Sequence, residues 1–374
     1  MAAEAEGTRG LDRGGSPTPL RVAVLGCGKA GQAQIHWFTE DPRSTVVAVW
    51  NRTRATADEI AERIGCRSLE SWEEVIDDPA VDVVSLCGPS STRAEQAVRL
   101  LRAGKRVLCE KPMARTLREC DEMIAASEAS GAPLYCVFNM RFHPVVEAVT
   151  AALPRIDELV SADVAYTQHR TGVTWRHARE QGGGVLKAQA VHVFDLLLTW
   201  LGPVADVSAE TLIVHPGRET EDHGEVLLRF ASGATGRVYA SYCDPRPEIM
   251  TGALIGTGGR IDFTLSPYDP ALNGVDITID GTIEQVELRD GTDQDPVYPG
   301  LADATRRLIG FVVERSLNGG EIEIDGFAGR RTMEIVAAAY VSDHRRAKVP
   351  LPLRLPEAPT SGWAPRRLDG TRSA

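Results

Sequence analysis

Residues 21–38 read RVAVLGCGKAGQAQIHWF. A short β-branched run ends at a glycine loop, and the loop opens into a stretch with helical spacing. The loop has the form Gly26-x-Gly28-x-x-Gly31, and its place between a strand and a helix gives this common pattern its weight. Glycines let the chain turn tightly and let a phosphate approach the backbone, while the start of the following helix offers amide donors to the anion. The loop therefore predicts a dinucleotide site made by Gly26, Gly28, Lys29, Ala30 and Gly31. The competing reading is a plain tight turn.

Outward from the loop the same alternation continues. TVVAVWNRT (45–53) is a second strand, followed by a helix over 55–64. VDVVSLCGPS (81–90) is a third strand that stops at Gly-Pro, and a helix over 95–103 leads into the strand KRVLCEKP (105–112). A helix over 117–129 and the stretch PLYCVFNMRFHP (133–144) complete the series. Strands alternating with helices of ten to fifteen residues predict an α/β domain, a Rossmann-type doubly wound parallel sheet, over 20–144. Past residue 145 strand-like runs at 159–167, 207–214, 225–231, 234–242, 252–256 and 260–265 follow one another with little helix between them. They predict an α+β substrate domain over 145–352 on an open, largely antiparallel mixed sheet. The free face of that sheet suits pairing with another copy, so a homodimer or homotetramer is expected. Residues 1–19 read as a disordered tail and 353–374 as an extended arm.

Composition narrows the function. A chain of 374 residues with 43% apolar content has material for two cores. Its net charge of −11 argues against nucleic acid and gives no basic membrane patch. The seven cysteines form no CxxC pair, which predicts reduced thiols in a cytoplasmic protein, with no zinc site and no disulfide framework. There is no signal-peptide core and no run of membrane-spanning length. Five lysines stand against thirty-six arginines. Three of the five lie in motifs: Lys29 in the glycine loop, Lys111 in the strand end at 105–112, and Lys187 after a glycine triplet at 182–184.

The end of the second strand bears on the cofactor. A carboxylate about twenty residues after the loop would hold a ribose 2′-hydroxyl. This chain has Asn51 there, followed by Arg52, Thr53 and Arg54. Nothing repels a 2′-phosphate, and the guanidiniums of Arg52 and Arg54 suit one. NADP is favoured; with both arginines solvated, Asn51 would serve NAD. Cys87 and Pro89, where the third strand stops, belong to the same expected cofactor surface.

A second glycine-bearing stretch, GGGVLKAQAVHVFD (182–195), carries the chemistry. A helix beginning after Gly184 would place Ala188, His192 and Asp195 on one face. A lone histidine among apolar neighbours is either a packed core residue or a proton acceptor.

AGKRVLCEKPMA (103–114), NMRFHP (139–144), TWR (174–176) and the stretch from the glycine triplet to His192 occur in this order behind the glycine loop. Together they resemble the Gfo/Idh/MocA oxidoreductases, the family of glucose–fructose oxidoreductase and inositol dehydrogenase, from about Arg21 to Pro350. The resemblance implies hydride transfer between a nicotinamide and a hydroxyl-bearing carbon. Lys111 then bonds the reacting oxygen, Glu110 lines the cofactor side, the Lys111–Pro112 bond is cis, Arg176 reaches the cofactor phosphates, and His192 accepts the proton. Asn139, Arg141, Trp175, Lys187 and Gln189 join Lys111 and His192 around the substrate. Two positions depart from the pattern. Ala188 stands where the family has an aspartate, with Ala190 in place of a glycine, and Arg93 stands where a histidine is frequent and could favour an anionic group.

The resulting expectation is an NAD(P)-dependent oxidoreductase acting on a sugar, a sugar conjugate or a cyclitol, in specialised metabolism. Three accounts of Ala188 stay open: a natural variant that holds its substrate through Lys187 or Gln189, a replacement introduced to trap a complex, or lost catalysis. Loss of catalysis would leave a dinucleotide-binding sensor or scaffold. An imine or enone reductase is a further alternative.

Overall fold

The computed structural model describes residues 18–170, 172, 174–289, 295, 297–354 and 365–367. Residues 1–17 of the tail and most of the C-terminal arm lie outside them. β1 (Leu20–Leu25), α1 (Lys29–Glu40), β2 (Ser44–Trp50), α2 (Arg54–Ile64), β3 (Arg67–Ser68), β4 (Val83–Leu86), α3 (Ser90–Arg102), β5 (Arg106–Cys109), α4 (Leu117–Ser130) and β6 (Leu134–Cys136) build the first unit. Its sheet is parallel, in the order β3-β2-β1-β4-β5-β6. The strands are short and apolar because helices cover both faces. The order reverses between β1 and β4, so a crevice opens beyond their C-terminal ends, where this topology binds ligands.

α5 (Pro144–Ala152) leads to β7 (Leu159–Thr167), α6 (Val191–Leu201), β8 (Val204–Ile213), β9 (His223–Phe230), β10 (Thr235–Ser241), β11 (Ile249–Gly256), β12 (Arg260–Leu265), β13 (Gly274–Ile279) and β14 (Thr282–Gln285). α7 (Ala302–Asn318), α8 (Gly326–Arg345), β15 (Val349–Pro350) and β16 (Arg366–Arg367) follow. The second sheet runs β14-β13-β12-β11-β7-β10-β9-β8-β15, with β16 beside β8. Its pairs are antiparallel except β7–β10 and β8–β16. Alternation decides its faces: in β7, Ala162, Val164 and Tyr166 are buried, while Ser161, Asp163 and Ala165 line a groove of about 1040 Å³ on the open face.

The strand pattern did not announce two long helices, and both return to the first sheet. α7 packs on α1 and α8 on α4 and β6 as well as β8. Cys136 N–H donates to Ile324 O at 2.6 Å, and the indole of Trp37 in α1 donates to Asp295 at 2.7 Å. The division at residue 145 is therefore a division of sheets, since later residues cover the first sheet too. No helix among the described residues is long and apolar enough to cross a membrane.

Candidate active site

The glycine loop lies where β1 ends. Gly26 has φ +105°, and a Cβ there would stand 2.7 Å from the backbone of Cys87. Gly31 packs so closely on Gly26 that a Cβ would meet its carbonyl oxygen at 1.9 Å. Gly28 has open space in front of it, and no side chain caps the start of α1. A cradle without side chains before an uncapped helix start fits a pyrophosphate. The Asn51 carboxamide braces the loop, accepting from Cys27 N–H at 3.1 Å and donating to Thr53 O at 3.1 Å.

A cleft of about 870 Å³ runs from this loop to the second sheet. Its lining includes Gly26, Gly28, Ala30, Asn51, Arg52, Cys87, Pro89, Glu110, Lys111, Asn139, Arg176, Gln189 and His192. Ala188, where the family pattern has its aspartate, lines it too. Residues far apart in sequence thus meet at one surface.

At its centre, the Lys111 ammonium donates to Ala188 O at 2.9 Å. The Lys111–Pro112 bond is cis. Burial pushes the Lys111 pKa down to about 8, the Arg176 charge acting in the same direction and Glu110 against it. Glu110 accepts from Gln34 at 2.8 Å and from Lys111 N–H at 3.2 Å, and its burial raises its own pKa.

The stretch after the glycine triplet is not one regular helix. Residues 186–190 form a wider π-turn before α6 begins. Ala188 and His192 reach the cleft, whereas Asp195, three residues on in the regular helix α6, turns to Arg141 instead. His192 is 5% exposed, and burial, then the Lys111 charge, hold its pKa well below the usual imidazole range. Its Nδ1 is buried and finds no partner among the described residues, which leaves Nε2 as the nitrogen for the cleft. Gln189 accepts from Gln168 at 2.7 Å, and its own Nε2 is buried without a partner among the described residues. Buried polar atoms of this kind call for an explanation, and a ligand is one.

The start of the π-turn is clamped from below. Glu221 accepts from Leu186 N–H at 3.1 Å and from the Tyr340 hydroxyl at 2.9 Å, and its carbonyl accepts from Val185 N–H at 3.0 Å. Burial raises its pKa to about 7. Gly184, with φ +116°, passes so close that a Cβ would stand 2.4 Å from the carboxylate.

Several charged residues lie elsewhere than the sequence suggested. Lys187 points away from the cleft, its ammonium 5.4 Å from the centre of the Tyr340 ring. Arg141 forms a forked pair with Asp195 at 2.7 and 2.6 Å, and neither lines the cleft. Arg54 is exposed and bonds Asp58 at 2.7 Å, which leaves Arg52 as the guanidinium in the cleft beside Asn51. Arg93, at the edge of the cleft, is buried against the carbonyls of Gly88, Glu110 and Pro112, which hold its guanidinium. Lys29 is exposed outside the cleft lining, and the Trp175 side chain lies outside the described residues.

Other lining residues escaped the sequence reading: Tyr166, Gln168, Arg170, Tyr242, Glu248, Tyr268 and Tyr298. Part of the signal was present. The buried face of β7 runs Ala162, Val164, Tyr166 and continues into Gln168 and Arg170, so it turns polar on leaving the sheet. His215, Asp222 and Cys243 also converge, but Asp222 already accepts from the Arg218 guanidinium at 2.7 Å and from two backbone amides.

Residues 20–138 match the GFO/IDH/MocA family, described as an oxidoreductase family with an NAD-binding Rossmann fold, and residues 154–262 match its C-terminal domain. The chain is similar to a scyllo-inositol 2-dehydrogenase (NAD(+)) of Bacillus subtilis strain 168, at 28% identity over 65% of this chain and 73% of the relative. It is similar to a levoglucosan dehydrogenase of Pseudarthrobacter phenanthrenivorans, at 30% identity over 67% of this chain and 75% of the relative. Its fold matches the structure of a levoglucosan dehydrogenase in complex with NADH and L-sorbose, with a TM-score of 0.79 at 23% identity, over 90% of this chain and 100% of that one.

Proposed function

The chain belongs to the GFO/IDH/MocA oxidoreductases, and on that premise we propose that it is a dehydrogenase or ketoreductase of a sugar, sugar conjugate or cyclitol. The observation that carries this reading is the meeting of Lys111 with the π-turn that leads into His192, through the 2.9 Å bond to Ala188 O. A bound nicotinamide cofactor supplies the other party to hydride transfer. Lys111, charged at neutral pH, donates to the reacting oxygen and stabilises its alkoxide character. His192, neutral at the same pH, takes the hydroxyl proton at Nε2 or returns it in the reverse direction. Gln189, fixed by Gln168, takes the place of the absent aspartate as the polar group beside them. A working natural variant explains Ala188 with fewer assumptions than lost catalysis, because the amide pair fills the gap.

The glycine cradle holds the pyrophosphate, and Arg176 stands at the same cleft. Arg52 beside Asn51 favours NADP over NAD, with the free, ungrouped cysteines supporting a cytoplasmic setting. Assembly runs through the open face of the second sheet.

The test is turnover of a panel of pyranoses and cyclitols with each cofactor, alongside fluorescence titration of NADPH and NADH. We expect nicotinamide-linked turnover of at least one class, and tighter NADPH binding by about 1–3 kcal/mol, the scale of a charge-assisted hydrogen bond. Cofactor binding with no turnover of any member would favour the non-catalytic sensor, and equal affinities would remove the NADP assignment.

A further inference from the structure

Beyond Lys111 and His192 the cleft continues to a pair of tyrosines that the proposed chemistry does not use. Tyr298 and Tyr268 lie with ring centroids 5.9 Å apart at 46°, and Tyr268 stands at the rim with 41% of its surface exposed. Both rings line the same cleft as Glu110 and Lys111, and Tyr268 is the more exposed of the two.

The loops that carry both rings are tied down at their backbone. Asp295 accepts from Tyr298 N–H at 2.8 Å and Val297 N–H at 2.7 Å, and is held in turn by the Trp37 indole. Gly300 N–H donates to Pro267 O at 2.9 Å, joining the two tyrosine loops. A Cβ on Gly300 would stand 2.2 Å from Ser266 O, so only glycine allows this closeness. His143 Nδ1 accepts from Val145 N–H, so its Nε2 donates to Gly300 O at 3.0 Å. A ring on a loop held in this way costs less backbone ordering when it binds.

Polar groups lie beside the rings. Arg170 faces the Tyr242 ring at 5.7 Å and stands 3.8 Å from Glu248, while its Nε is buried with no partner among the described residues. Glu248 also accepts from the Tyr166 hydroxyl at 2.7 Å. A sugar ring has an apolar C–H face and a rim of hydroxyls, and this combination of flat rings, cation and carboxylate matches both.

We propose that Tyr268 and Tyr298, with Arg170 and Glu248, form an outer subsite for a second ring attached to the reacting sugar, so that the substrate is a glycoside or sugar conjugate. The inference rests on the dehydrogenase reading of the inner site. The occupant is a part of the substrate, because the rings continue the cleft and lie away from the open face of the second sheet.

The test compares glucose, galactose and myo-inositol with their phenyl or glycosyl derivatives, in the wild-type protein and in Tyr268→Ala and Tyr268→Phe. The ratio of kcat/KM for derivative over free compound should be about threefold to tenfold in the wild type, the equivalent of one good aromatic contact. It should fall to about one in Tyr268→Ala and survive in Tyr268→Phe. A wild-type ratio of one, or a preference that persists in Tyr268→Ala, overturns the subsite. If no compound is turned over, the dehydrogenase reading fails. Calorimetric binding of the same pairs to the NADP-loaded protein then still reads the subsite, and equal affinities overturn it.

Discussion

Ala188 contributes a backbone carbonyl to the site in the position where a carboxylate was expected, and that carbonyl receives the Lys111 ammonium. The pH behaviour should follow from the two groups it brings together. Burial and the neighbouring cation keep His192 neutral well below the usual imidazole pKa, so no rising limb should appear near that value in the oxidation direction. Lys111 is useful as the ammonium, so kcat/KM should fall as pH rises through about 8. In Lys111→Arg the guanidinium stays charged, and the falling limb should vanish even though the rate drops. A profile that rises through the ordinary imidazole range and continues upward would contradict these assignments. That Lys111 and His192 reach one cleft was readable, because each sits in a motif with a defined strand or helix context. The positions of Lys187, Arg54 and Arg141 were not readable, because a charge in a sequence does not disclose its partner. For Arg141 that partner, Asp195, lies 54 positions away.

Among the elements, the strands were the most legible, since a period of two with one face buried leaves little freedom of register. The second sheet follows this closely: β7 and β12 lie where alternation and turn residues place them. The π-turn was not legible, because one extra residue in a helical turn leaves the apolar pattern nearly unchanged. The turn depends on Glu221, which is distant in sequence. Glu221→Leu removes the acceptor for Leu186 N–H, which costs about 1–3 kcal/mol when left buried and unpaired, and takes away the carboxylate that the Tyr340 hydroxyl bonds. Urea unfolding should show that loss, while Glu221→Gln, which keeps an acceptor, should lose clearly less. Equal stability of Glu221→Leu and the wild type would show that the clamp contributes nothing.

For the whole molecule, the chain order of the two sheets was readable, but the return of α7 and α8 to the first sheet was not. Both helices carry apolar faces that fit either sheet, and only tertiary contacts choose between them. The open face of the second sheet exposes Leu227 at 55% and Ile255 at 39% among charged neighbours such as Asp163 and Arg237. Across the strands Arg237 and Asp163 lie side by side on β10 and β7, with Leu227 and Ile255 on the flanking strands, and a mixed apolar and charged face of this kind is what we expect a second copy to cover. Sedimentation should show a dimer or tetramer at micromolar protein, and Leu227→Arg should shift it towards monomer. A monomeric wild-type protein would contradict this directly.

The enzyme reading stands on Lys111 and His192 acting on the same oxygen from the two sides of the cleft. The most direct measurement is kcat on the best panel substrate for Lys111→Ala, His192→Ala and the double variant, with cofactor affinity measured in each. Each single change should lower kcat by about 10²–10⁴-fold, the usual contribution of a positioned acid–base group, with cofactor affinity little changed. Groups acting as a unit are not additive, so the double variant should be hardly worse than the worse single one. Full multiplication of the two losses, or an unchanged kcat in either single variant, would contradict a shared site of action.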